Sequence, residues 1–230
     1  MIREREYRTG IAKLPHHENS MIATDPTIQS LIHAVEVADS PAKLVGAVHA
    51  LANVRSTEAI PTLIRALGFN NPGAALAAVS GLVALGEVAV PELLAQIDGY
   101  NYGARAYSLR ALAAIADPRA LEALIKAAEA DFAPSVRRAA IKGLGQIRWQ
   151  QLEPTARESA QSQALNTLLF VAQDVDWANR YAAIVGLQNW LTSADSVDRT
   201  RAIAQLDQML QADSDGAVRA RAALAKQQLS

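Results

Sequence analysis

Three aromatic residues, Phe69, Tyr100 and Phe132, stand at matching places along the chain, and the latter two are each followed five residues later by an arginine, Arg105 and Arg137. Arg138 stands beside the second of these. A ring offers a stacking surface, and a guanidinium offers a forked, charge-assisted hydrogen bond to a carboxylate. A long, flat, anionic ligand suits that combination. The run DGYNYGARAYSLRAL adds weight to the third turn: Tyr100, Asn101, Tyr102, Arg105 and Tyr107 include three of the five tyrosines of the chain. Tyrosine and asparagine at a turn supply adaptable hydrogen bonds on a stiff frame, and Asn70 and Asn71 do the same after Phe69. The competing expectation is structural. An arginine near the start of a helix pairs with a carboxylate of the next unit, and Phe69 and Phe132, taken singly, belong to the core.

Other chemistry is poorly provided for. The chain has no cysteine, which removes disulfides, thiolate metal sites and a cysteine nucleophile. Of its four histidines, His16 and His17 are adjacent near the start, while His33 and His49 lack the HExxH or paired-carboxylate spacing of a zinc site. No metal is expected. There is no GxSxG, no Walker loop and no GxGxxG after a strand. Lysine and arginine number 22 against 23 acidic residues, so there is no basic footprint for nucleic acid. No uninterrupted apolar run approaches a membrane span, and MIREREYRTG lacks the apolar centre of a signal peptide. A cytoplasmic protein without a membrane partner is expected.

The elements that must carry these residues follow from an internal repeat. TEAIPTLIRALGFNNPGAALAAVSGLVALG can be laid over EVAVPELLAQIDGYNYGARAYSLRALAAIA, with Pro61 over Pro91 and Gly68 over Gly99. Within each copy, apolar residues recur at i, i+3, i+4 and i+7 on both sides of a turn, the mark of two amphipathic helices. One such pair cannot bury both apolar faces, so neighbours must stack. The expected fold is all-α, a right-handed α-solenoid of about six HEAT-like helix pairs. The units fall at about 26–56, 57–86, 87–116, 117–149, 161–194 and 196–230, in a repeat domain covering 25–230. Residues 1–24 show no period and read as a mobile N-terminal extension, and 149–164 read as a lengthened connection.

The segments NNPGAA, DGYNYGARAYSLRALA, DPRALEALIKAAEADFAPSVRRAAIKGLG and IQSLIHAVEVADSPAKLVGAVHALA resemble the F-type subunit of the phycocyanobilin lyases, HEAT-like proteins of cyanobacteria. The resemblance covers roughly residues 26–190, and DGYNYGAR is its most specific part, since generic HEAT repeats do not demand it. It implies a subunit that pairs with an E-type partner and attaches phycocyanobilin, through a thioether, to a cysteine of the phycocyanin alpha subunit.

On that reading the bilin is a substrate bound non-covalently, and no separate cofactor is needed. Its propionates would pair with Arg105, Arg137 or Arg138, and its pyrrole N–H groups would donate to Asp131 or Asp98. Phe69, Asn70, Asn71, Tyr100, Asn101, Tyr102 and Phe132 would line the binding surface. Tyr100, Tyr102 and Asp131 are the candidates for proton transfer, unless the acceptor lowers the pKa of its own thiol. A related subunit that also isomerises the bilin carries a histidine–cysteine motif, so the absent cysteine implies attachment without isomerisation. Two other readings stand beside it: a HEAT-repeat protein of phycobilisome turnover, and a non-catalytic scaffold that binds protein alone.

Overall fold

A computed structural model describes residues 27–97, 101–195 and 198–230, with the backbone alone at Tyr102. Its described residues form helices joined by turns, without a strand. They pair in chain order: α1 (Ile28–Glu36) with α2 (Pro41–Asn53), α3 (Ile60–Leu67) with α4 (Pro72–Leu85), and α5 (Val90–Ile97) with α6 (Tyr102–Ile115). Then follow α7 (Leu121–Ala130) with α8 (Pro134–Leu144), α9 (Pro154–Val171) with α10 (Trp177–Ser193), and α11 (Arg199–Ala212) with α12 (Gly216–Leu229). The stretch 1–24 and residues 98–100 of the third turn lie outside the described residues.

The second helices stack in one continuous layer, α2 on α4, then α6, α8, α10 and α12, and each first helix packs against its own partner behind that layer. A single apolar core runs through the stack. Small residues let the second helices approach closely: a Cβ at Gly143 would sit 2.6 Å from Ala113 Cβ, and one at Gly145 would sit 2.1 Å from the Gly186 carbonyl oxygen. A side chain at Gly143 or Gly145 would therefore force the neighbouring helix away.

Two sequence expectations change. The stretch 149–164 is not a long connection. Trp149–Gln151 form a short 3-10 turn and α9 begins at Pro154, so the fifth unit starts well before residue 161. The extra residues lengthen the helix, because Trp149 is fully buried and its indole Nε1 donates to Ser193 Oγ at 3.1 Å, fastening the turn onto the end of α10. The second change concerns apolar length. Pro72–Ile97 is, by length and composition, long and apolar enough to cross a membrane, an 18-residue window within it having a mean hydropathy of 1.9. It is nonetheless split into α4 and α5 by a 3-10 turn at Gly86–Ala89, where Gly86 takes a φ of 71° that favours glycine. Its apolar residues Val79, Leu82, Val90 and Leu93 are buried in the core of the stack.

Candidate functional site

The turns inside successive pairs are tied to one another along one edge. Each second helix leaves N–H groups without intrahelical partners, and a short polar side chain at the turn accepts one of them. Ser40, Asn71, Asn101, Asp176 and Asp215 do this for α2, α4, α6, α10 and α12. At α8 the cap position is Ala133, so Asp131, two residues earlier, takes its N–H at 2.8 Å instead, and Pro134 has no N–H to satisfy.

The same turns reach from unit to unit. Asn71 Nδ2 donates to the Pro41 carbonyl at 3.2 Å, and Asn101 Nδ2 to the Gly68 carbonyl at 3.4 Å. From the third unit onward the link is ionic. Arg105 pairs with Asp131, Arg137 with Asp174, and Arg180 with Asp213, each arginine lying four residues after its own cap position. The Arg180–Asp213 pair is two-pronged, with both contacts at 2.8 Å. Arg105 Nη2 donates to Asp131 Oδ1 at 3.3 Å, while its Nε lies 3.2 Å from Oδ2 without hydrogen-bond alignment.

This ladder changes the meaning of several expected site residues. Arg105 and Arg137 have partners inside the stack, as the structural expectation held, and a ligand carboxylate would have to displace Asp131 or Asp174 to reach them. Asp131 is likewise occupied, by Arg105 and by the Ala133 N–H. Arg138 is freer, its only ion pair among the described residues being with Asp176 at 3.9 Å. Asn71 and Asn101 are caps and rungs, and Asn70 is exposed.

The core expectation for the phenylalanines does not hold. Phe132 is 76% exposed and Phe69 37%, because each occupies the tip of a turn whose backbone is already satisfied by its cap. The Arg105 guanidinium carbon sits 4.9 Å from the centre of the Phe132 ring, a cation–π contact that joins the aromatic and cationic parts of the ridge. Val175, 99% exposed, holds the corresponding tip in the next unit. Tyr100 lies outside the described residues, as does the side chain of Tyr102, whose backbone opens α6.

Asp174, Arg180 and Asp213 were not among the expected site residues, although a signal for them exists. DFAPSVR, DVDWANR and DSDGAVR each place an aspartate six residues before an arginine. Burial alone would raise the Asp174 carboxyl, but the Asp176 N–H and the Arg137 guanidinium outweigh it and hold the group below the ordinary carboxylate range. The Arg180 hydrogen bonds depress Asp213 in the same way, and Asp213 in turn raises Arg180. On the opposite edge Asp117 is depressed by its hydrogen bonds to Arg119. The turn edge is therefore a rigid, charge-paired frame with apolar tips.

Comparison with known proteins agrees with this architecture. A family model described as HEAT repeats matches residues 90–163. A designed armadillo repeat protein in complex with a (KR)4 peptide shares the fold at a TM-score of 0.56 and 16% identity, covering 89% of this chain and all of that one. A phycocyanobilin lyase subunit beta from Nostoc sp. is 57% identical over 198 residues, 86% of this chain and 98% of the relative. The phycocyanin alpha phycocyanobilin lyase CpcF of Synechocystis sp. is 56% identical, over 75% of this chain and 80% of its own. A chain in the solved complex of CpcE and CpcF of phycocyanin lyase from Nostoc sp. superposes with a TM-score of 0.71 at 58% identity, covering 74% of this chain and 99% of that one. With 57% identity across nearly the whole of such a relative, the chain belongs to the family of phycocyanobilin lyase beta subunits.

Proposed function

We infer that this chain is the F-type subunit of a heterodimeric bilin lyase, which acts with an E-type partner to attach phycocyanobilin to a cysteine of the phycocyanin alpha subunit. The observation that carries this is the 58% identity to a chain of the CpcE–CpcF complex, 99% of which is covered. The reaction is an addition. The acceptor sulfur bonds to the exocyclic carbon of ring A, the electron pair of the double bond takes up a proton, and no group leaves. A chain with no cysteine suits it, since the nucleophile comes from the acceptor and the lyase must bind and orient the pigment.

The bilin is accordingly a substrate, held without a covalent link, and the absent cysteine argues for attachment without isomerisation. Tyr100 and Tyr102, which flank Asn101 in the sequence, are the proposed proton-moving groups. Asp131, fastened by Arg105 and the Ala133 N–H, is better suited to hold the turn than to move a proton. Phe69 and Phe132 offer exposed rings for the pigment or for the proteins that exchange it. We place the reaction in the cytoplasm, where thiols stay reduced and the acceptor cysteine stays available. The test is co-expression of this chain with an E-type partner, a phycocyanobilin supply and the phycocyanin alpha subunit, read by zinc-enhanced fluorescence in a denaturing gel. A pigmented alpha subunit that requires both chains supports the assignment, and its absence from a soluble complex refutes it.

A further inference from the structure

We propose that the two propionates of the bilin are clamped by Arg110, Arg138 and Lys142, on the outward face of the second-helix layer rather than on the turn edge. This rests on the bilin-lyase reading above. Counted from the cap of each second helix, the fifth residue is Leu76 on α4, Ala106 on α6, Arg138 on α8 and Tyr181 on α10; the ninth is Ser80, Arg110, Lys142 and Val185. Residues four apart share a helix face, so these eight form one patch across four stacked helices. All of them are exposed or half-buried.

The patch is positive and lacks internal compensation. No carboxylate occupies the fifth or ninth position of any of the six second helices. Among the described residues, neither Arg110 nor Lys142 has an ion pair or side-chain hydrogen bond, unlike the ladder arginines. Within the same residues Arg138 has only its loose pair with Asp176. Three cations on one face favour a bound anion, which reduces their mutual repulsion.

The order along the layer also matches the ligand. Leu76 lies on one side, the cations of α6 and α8 in the middle, and Tyr181 with Val185 on the other, at helix spacings of about 10 Å. A linear tetrapyrrole has the same order, with its two propionates on the middle rings and apolar substituents on the outer ones. Ala106 is small and leaves room for a flat molecule above α6. The ladder contributes by keeping Arg105 and Arg137 occupied, which among the described residues leaves Arg110 as the unpaired cation of α6 and Lys142 as that of α8.

The decisive experiment titrates the purified heterodimer with phycocyanobilin and with its dimethyl ester, using wild type, Arg110→Gln, Lys142→Gln and the double variant. The proposal expects each substitution to weaken diacid binding about tenfold, the loss of one charge-assisted contact. Diester binding should be the same in all four, with the heterodimer intact by size-exclusion chromatography. Variants that still prefer the diacid as strongly as wild type would overturn it. So would loss of the heterodimer with pigment binding retained, which would make the patch a partner contact. A wild-type complex that neither binds nor transfers pigment would refute the lyase reading itself, and this assignment with it.

Discussion

Arg137 is bonded in two directions: its Nε donates to the Ala128 carbonyl of its own unit at 3.1 Å, and its Nη2 to Asp174 Oδ2 of the next at 2.5 Å. Arg180 repeats the arrangement one unit on, donating to the Asp174 carbonyl and gripping Asp213. A helical solenoid holds its shape through contacts between neighbouring units, so such links fix the angle at which one pair meets the next. Cutting one should loosen a whole joint.

Arg137→Ala should therefore destabilise the chain by about 2–3 kcal/mol, the scale for losing a partner of a part-buried charged hydrogen bond. Urea unfolding checks the magnitude. A double-mutant cycle with Asp174→Ala should give a coupling well above that of an exposed pair such as Lys43–Asp39. Coupling near zero would mean that the ladder is incidental.

Acid should weaken the stack. Asp117, Asp174 and Asp213 have folded-state pKa values below the ordinary carboxylate range, so the unfolded chain binds protons first as pH falls. Their contribution is complete above about pH 5, where the unfolded groups are fully ionised, and is lost as pH drops through the lower folded values. The thermal midpoint of wild type should fall steeply below about pH 4. In Asp213→Asn it should start lower and fall less.

Asn101→Ala removes both the cap of α6 and the link to the Gly68 carbonyl. The expected cost is about 1–2 kcal/mol, within the range for a helix cap. Asn101→Asp should recover most of the cap and none of the inter-unit donor. Denaturation of the two variants side by side separates these contributions.

Phe132→Ala should leave stability within about 1 kcal/mol of wild type, since the exposed ring has little burial to lose beyond its contact with Arg105. It should nonetheless slow pigment transfer, because an exposed ring at a rigid turn is placed to meet a ligand or partner. A variant with unchanged transfer kinetics would remove Phe132 from the site.

The solenoid was legible because its signals are local. Apolar spacing, Pro61 over Pro91 and breakers such as Asn71 in the turns mark each helix pair within some thirty residues of sequence. The fifth unit was misread for an equally local reason: WQQLEPTARESAQSQA is polar enough to look like a loop, and only the burial of Trp149 against the end of α10 makes it a turn and a helix start. The arginines of the turn edge were legible as residue types but not in their pairing. Arg105 and Arg137 read as ligand cations because their partners, Asp131 and Asp174, lie 26 and 37 residues further on, and stacking alone brings them together. Arg110 and Lys142 were invisible as a pair, since they become neighbours only when α6 and α8 are laid side by side.

The central claim is tested most directly by reconstitution from purified components: this chain, an E-type partner, phycocyanobilin and the phycocyanin alpha subunit, with covalent pigment on the acceptor followed over time. The account predicts rapid, saturating attachment with both chains present, almost none with either alone, and an absorption spectrum of attached but unisomerised phycocyanobilin. Attachment at the same rate without this chain would contradict it.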